Sequence, residues 1–198
     1  AGDALTTGSE NIAIGKNALG TEDTGSKSVA IGRKALFKQN YDGSAYNVVV
    51  GGDAGVEITT GVNNTIVGSQ AGDALTTGSN NIIIGRQAAA SAVDVSNEIT
   101  LGDSNISAIR AQVTSISSLS DKRDKKDIED SAYGLDFIDS LKPVTFEWDQ
   151  RDGNRSGVKD VGFIAQDLQE VDDEYTRLVY ESNPDKLEAT YGRLIPIM

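Results

Sequence analysis

A glycine closes the same short motif six times in the first half of the chain. The copies are Asn11-Ile12-Ala13-Ile14-Gly15, Ser28-Val29-Ala30-Ile31-Gly32, Asn47-Val48-Val49-Val50-Gly51, Asn64-Thr65-Ile66-Val67-Gly68, Asn81-Ile82-Ile83-Ile84-Gly85 and Glu98-Ile99-Thr100-Leu101-Gly102. Their glycines stand 17, 19, 17, 17 and 17 residues apart. A unit this short cannot bury a hydrophobic face alone, so a fixed period of this kind specifies a solenoid in which each coil is covered by the next. Within each motif the first and third residues of the apolar triplet point one way and the middle one the other. In the later copies the middle position is also apolar (Val49, Ile66, Ile83), so both faces of the strand are to be covered: one inside the coil, the other against a neighbouring chain.

An alanine follows each of the first five glycines by three residues, at Ala18, Ala35, Ala54, Ala71 and Ala88, with Leu19 and Leu36 after the first two. A turn rich in Thr, Gly, Ser and Asn comes next, as in Thr76-Thr77-Gly78-Ser79, and such residues tolerate positive φ and reverse the chain. The pattern predicts two short strands per coil. The segment Ala1 to Ser9 recurs unchanged at Ala71 to Ser79, which marks duplication of whole coils.

Composition narrows what such a chain can do. Only 38% of the 198 residues are hydrophobic and 6% aromatic, so the core is thin and support from further copies of the chain is expected. A net charge of −12 argues against non-specific binding to nucleic acid or to anionic membranes. The chain has no cysteine and no histidine, which removes a disulfide framework, an ordinary zinc site and His-based catalysis. No run approaches the roughly 18 apolar residues of a membrane-spanning helix, so no membrane insertion is expected. The N-terminus lacks a signal-peptide layout and opens inside a repeat, as expected of a fragment of a longer protein. Asp3, Asp23, Asp42, Asp53, Asp73 and Asp103 follow no calcium-loop spacing and read as turn residues, so neither metal nor cofactor is expected.

The repeat resembles the β-roll head of trimeric autotransporter adhesins, whose units carry a core comparable to Ser28-Val29-Ala30-Ile31-Gly32, and similar repeats occur in phage tail fibres. That resemblance implies a homotrimer. The 19-residue copy carries Phe37, Tyr41 and Tyr46 on a longer loop, which either offers aromatic contacts to a host receptor, glycan or protein, or covers the side of the roll; the second reading is favoured.

From residue 105 to 119 the apolar residues Ile106, Ile109, Val113, Ile116 and Leu119 are spaced for a short helix or an intertwined three-chain neck, although the Ser, Thr, Val and Ile content weakens the helix. A charged run then separates two unlike textures: Ser120-Asp121-Lys122-Arg123-Asp124-Lys125-Lys126-Asp127-Ile128. Beyond it lie the single Trp and all three Pro. Asp130-Ser131 is placed to cap a helix reaching about Leu141 with Leu135, Ile138 and Leu141 on one stripe; Val144, Phe146 and Trp148 alternate as a strand after Pro143. Asp149 to Lys159, with Gly153-Asn154, reads as a loop or hairpin tip, Val161 to Ala165 as a strand, Gln166 to Val171 as a helical turn, and Arg177 to Tyr180 as a further strand. The division is therefore 1–104 repeat, 105–119 neck, and 120–198 a small α+β domain.

The chemistry on offer is a hydroxyl and an amine five residues apart. A serine is a poor nucleophile until a base takes its proton, and a lysine serves as base only when burial or neighbouring positive charge lowers its pKa. Ser120 and Lys125 form a candidate dyad, with Lys122, Arg123 and Lys126 supplying like charge. On spacing alone a solvated linker is the favoured reading.

Three blocks change that balance: the charged run, then Gly134-Leu135-Asp136-Phe137-Ile138 through Leu141-Lys142-Pro143-Val144-Thr145-Phe146-Glu147-Trp148, then Val161-Gly162-Phe163-Ile164-Ala165-Gln166-Asp167-Leu168-Gln169-Glu170-Val171. In this order they resemble the intramolecular chaperone of endosialidases and phage tail spikes, the peptidase S74 family. The resemblance implies a domain that drives trimerisation of the fibre before it and then cuts once, between Leu119 and Ser120, with Ser120 as nucleophile, Lys125 as base, and no external substrate. It further implies a virion tail fibre assembled in the host cytoplasm, and a long C-terminal coiled-coil helix of which this chain shows only the start. Gly162, Phe163 and Gln166 match the family and read as framework. The competing reading is a structural or adhesive trimer in which the domain stays as a permanent cap. An enzyme acting on an external polysaccharide finds no paired carboxylates in a glycosidase setting here.

Overall fold

The computed structural model describes residues 1–112, 117–151 and 156–194. It is mainly β, and the chain divides into two compact units, Ala1–Ile106 and Ser107–Met198.

Unit one is a solenoid built on one parallel sheet. Its strands β1 (Ile12–Ile14), β2 (Val29–Ile31), β3 (Val48–Val50), β4 (Thr65–Val67), β5 (Ile82–Ile84) and β6 (Ile99–Leu101) lie side by side in sequence order. The register pairs each middle residue with the next, Ala13 with Ala30, Val49 with Ile66, Ile83 with Thr100. Middle residues point into the coil, where Ala30, Val49, Ile66 and Ile83 are fully buried. Flanking residues point out, an assignment the sequence alone leaves open, and form an exposed apolar stripe that includes Ile12, Ile14, Val48, Val67, Ile82 and Ile84.

The closing glycines have φ between 82° and 148° and stack so closely that no side chain fits. A Cβ on Gly51 or Gly68 would lie 2.3 or 2.4 Å from the carbonyl oxygen of the next glycine in the stack. Glycine is required there both by dihedral and by approach.

Only one strand forms per coil, so the expected second strand is corrected. The segment after each glycine is a run of turns, because the residue after the buried alanine is left-handed: Leu19 (φ 50°), Leu36 (51°), Gly55 (51°) and Gly72 (56°). Left-handed residues bend the backbone where a strand would extend it. Their amides still bond to the next coil, as Leu19 N–H does to Ala35 O at 3.0 Å and Gly72 N–H to Ala88 O at 2.8 Å.

The interior is matched coil by coil. Where the strand's middle residue is alanine (Ala13, Ala30), a leucine (Leu19, Leu36) fills the left-handed position; where it is Val49 or Ile66, that position is Gly55 or Gly72. A Cβ on Gly72 would meet the Cδ1 atoms of Ile66 and Ile83 at 3.0 and 3.1 Å, so the two sites share one volume.

Unit two contains α1 (Leu135–Ser140), β7 (Val144–Asp149), β8 (Ser156–Gly162), α2 (Ala165–Gln169), β9 (Val179–Tyr180) and β10 (Glu188–Ala189), with 3-10 turns at Lys122–Asp124 and Tyr191–Arg193. β7 pairs antiparallel with β8, and β9 with β10. Leu141, Leu168, Leu178, Val179 and Leu194 form the core, with Phe137, Phe163, Val171 and Leu187 packed on it. β7 alternates half-buried and exposed residues as expected.

Several boundaries differ from the sequence expectation. α1 starts at Leu135 on an extended Gly134, and Ser131 closes its own short turn by accepting the Tyr133 amide at 3.1 Å instead of capping the helix. Leu135 is exposed, so the buried face runs through Phe137 and Leu141. β8 begins at Ser156 and ends at Gly162, because the cross-strand ladder with β7 extends it backwards and α2 takes Ala165. β10 carries no sequence signal of its own. The hairpin tip at Gly153-Asn154, the neck residues Val113 and Ile116, and the tail from Ile195 to Met198 lie outside the described residues. The described part of the neck has neither helix nor strand, and Ile106 and Ile109 are exposed.

Candidate functional site

From Ser117 to Ala132 every residue is exposed, and among the described residues local hydrogen bonds shape this stretch. Asp121 begins a 3-10 turn over Lys122–Asp124: its carboxylate accepts the Arg123 amide at 2.9 Å, its carbonyl accepts the Asp124 amide at 3.2 Å, and Lys122 O accepts the Lys125 amide at 3.2 Å. The turn reverses the chain and brings the Lys125 ammonium 2.6 Å from Ser120 Oγ and 3.3 Å from Ser120 O. The two residues singled out in the sequence are therefore in direct contact. Leu119, on the other side of the bond, is 96% exposed, and its carbonyl accepts a long hydrogen bond from Ser118 Oγ at 3.4 Å.

The neighbouring cations are arranged differently from the expectation. Arg123 does not add its charge beside Lys125 but forks onto Asp121, with Nη2 2.6 Å from Oδ2 and Nε 3.1 Å from Oδ1. This contact, with the Arg123 amide, holds the Asp121 carboxyl below its usual range and raises the guanidinium. Lys126 lies 3.9 Å from Asp127, which adopts a left-handed φ of 51°.

A second set of contacts was not legible in the sequence. Tyr133 donates its hydroxyl to Asp173 at 2.5 Å and stands edge-on to Phe137 at 5.1 Å, which ties the start of the domain to the loop before β9. The Asp173 hydrogen bond, with burial and nearby acidic charge, pushes the Tyr133 phenol up to about 12. Next to it, Asp172 accepts from the amides of Leu178 (2.7 Å) and Val179 (3.1 Å) and from the Thr176 hydroxyl (2.7 Å). Burial raises this carboxyl, but these hydrogen bonds outweigh it and the net shift is downward. Asp followed by Asp is too common a surface dipeptide to have pointed there.

Gly162 and Phe163 meet Tyr191: a Cβ on Gly162 would sit 2.6 Å from the phenol oxygen, and the rings of Phe163 and Tyr191 are 5.8 Å apart. Gln166 is exposed on α2. In the 19-residue coil Phe37 is half-buried, with its ring where a Gly20 Cβ would stand, while Tyr41 and Tyr46 remain exposed. Lys27 lies over the Tyr46 ring at 5.2 Å and donates to its hydroxyl at 3.2 Å. Among the turn aspartates, Asp23 accepts the Thr24 amide, Asp42 accepts the Thr24 hydroxyl from the neighbouring coil, and Asp53 pairs with Arg33. Among the described residues no cluster of three or more His, Cys, Asp or Glu side chains is placed to hold a metal ion.

Residues 120–179 match the family described as chaperone of endosialidase, peptidase S74. No curated protein and no solved structure matches the chain. The match begins at Ser120 itself and spans the turn, α1, the β7–β8 hairpin and α2. Residues 120–179 thus match the peptidase S74 chaperone family, and in the sequence they follow a parallel β-solenoid whose coils are 17 residues long, with one of 19.

Proposed function

We propose that the chain is a segment of a trimeric phage tail fibre: a β-solenoid that serves host attachment, followed by a chaperone domain that drives assembly and then cuts itself off between Leu119 and Ser120. The observation that carries this reading is the 2.6 Å contact between Ser120 Oγ and Lys125 Nζ at the first residue of the matched segment. The outward stripe of Ile and Val on the solenoid sheet supports assembly of copies, since an apolar stripe of this length facing water is costly. Such a fibre would form in the host cytoplasm and function on the virion, and its receptor would be a surface glycan or protein.

The reaction is an intramolecular acyl transfer. Lys125, as free amine, takes the Ser120 hydroxyl proton while Oγ attacks the Leu119 carbonyl carbon; the C–N bond breaks, the Ser120 nitrogen is protonated, and an ester joins Leu119 to Ser120 Oγ. Water then opens the ester, leaving a Leu119 carboxylate and a Ser120 hydroxyl and amine. Loss of the ammonium proton is favoured by burial. In the single chain both groups are exposed, so neighbouring chains have to supply the cover. That same exposure favours a second reading, in which the domain never cuts and remains as a cap.

Intact mass under denaturing conditions decides between them, with Ser120→Ala as control. Fragments of 119 and 79 residues in the parent only are expected. A single uncut mass in both leaves the permanent cap.

A further inference from the structure

We infer that Asp121 is a positioning residue for the Ser120–Lys125 pair, acting through the turn it closes and through the arginine it holds; the inference rests on the self-cleavage reading above.

Five residues of extended chain span roughly 17 Å, far more than a lysine side chain bridges, so the hydroxyl and the amine meet only if the chain reverses between them. No core residue imposes that reversal, since every residue from Ser117 to Ala132 is exposed. What imposes it is Asp121, whose Oδ1 takes the Arg123 amide at 2.9 Å and whose carbonyl takes the Asp124 amide at 3.2 Å. Side-chain acceptance of an amide two residues on is the local device by which Asp stabilises a turn.

Arg123 completes the arrangement. A bare carboxylate one residue from Ser120 is a natural ion-pair partner for Lys125, and such a pair would draw the amine off the hydroxyl. Arg123 occupies both Asp121 oxygens with a planar fork, at 2.6 Å to Oδ2 and 3.1 Å to Oδ1, and Lys125 donates instead to Ser120 Oγ and O. Asp121 touches no reacting atom. It sets where Lys125 points.

The test compares the full-length parent, Asp121→Ala, Asp121→Asn and Ser120→Ala, following both the rate at which the fragments appear and the assembly state by native mass. Asp121→Ala is expected to assemble normally and to cut about 10²-fold more slowly, the loss that follows a misplacement of about 1 Å. Asp121→Asn keeps an oxygen for the Arg123 amide and is expected to recover most of the rate, a rescue that a general structural role would not produce. Cutting by Asp121→Ala at the parental rate, or an Asn variant as slow as the Ala variant, overturns the inference. If the parent itself stays whole, the self-cleavage reading has failed, and the positioning is then read by NMR from the nuclear Overhauser contact between the Ser120 β protons and the Lys125 ε protons. A contact present in the parent and lost in Asp121→Ala supports positioning; a contact kept in both, or missing from the parent, overturns it.

Discussion

Asn64 has no exposed surface and uses every polar atom of its side chain. Its Oδ1 accepts the Asn81 amide at 3.0 Å, and its Nδ2 donates to Gly78 O at 3.0 Å and Asn47 Oδ1 at 3.2 Å. Asn47 and Asn81 repeat the same pattern, so the first residues of the third, fourth and fifth motifs are rungs in a buried amide ladder. In the second coil the rung is Ser28, too short for the role, and Gln39 from the longer third coil fills the gap: it accepts from Asn47 Nδ2 at 2.8 Å and donates to Ser28 Oγ at 3.0 Å and to buried Glu22 at 2.9 Å. Serine and the longer coil thus compensate one another. Asn64→Ala leaves the Asn81 amide and Gly78 carbonyl buried without partners and is expected to destabilise the solenoid by roughly 2–4 kcal/mol, read from the denaturant midpoint. Gln39→Ala is expected to act in the same direction.

The strands put two neighbouring isoleucines to different uses. Ile83 is fully buried and Ile84 is 41% exposed. Ile83→Ala removes packing inside the coil and is expected to cost about 3 kcal/mol of folding stability. Ile84→Glu leaves the coil interior alone and is expected to shift stability of the isolated chain by no more than about 0.5 kcal/mol. If copies pack through the outward stripe, the same variant abolishes the trimer in sedimentation; a trimer that survives it argues against that interface. In the second unit β9 depends on one carboxylate, since Asp172 receives the amides of Leu178 and Val179. Its folded pKa lies below the unfolded value of 3.8, so its stabilising effect is complete above that pH and is lost as pH falls through the folded value. Acid unfolding of this unit is therefore expected to set in below about pH 4, and Asp172→Asn, being uncharged throughout, is expected to flatten that part of the pH profile in a circular-dichroism titration.

At the scale of the molecule, each unit has its own core, and the solenoid is held by contacts between neighbouring coils, residues about 15 to 20 apart in the chain. Contacts of this kind form slowly and invite misregistration, more so if three chains must align. Under the proposed function, a domain that nucleates assembly would address that step, and its removal would leave a fibre held by a kinetic barrier. The expected outcome is an asymmetry in refolding. After denaturation and dilution, the uncut Ser120→Ala chain regains its native mass, whereas the isolated 1–119 fragment does not. Equal recovery of both would show that the chaperone contributes nothing to assembly.

The amino-acid sequence by itself determined the coil period and the division of each strand into two faces, because both follow from local geometry repeated at a fixed interval; which face turns inward was decided when the coils stacked. The sequence also placed Ser120 and Lys125 close along the chain. Whether they meet was decided by Asp121 and Arg123, whose side chains turn a linker-like run back on itself. The tertiary structure alone decided that each coil has a single strand. Leu19 and Leu36 adopt a left-handed backbone that costs about 1 kcal/mol and that neither residue signals; the hydrogen bond from Leu19 N–H to Ala35 O and burial of the leucine beneath a small Ala13 or Ala30 offset it. The amide ladder and the Ser28–Gln39 exchange belong to the same class. Their partners lie 8 to 17 residues apart and become neighbours only when the coils stack.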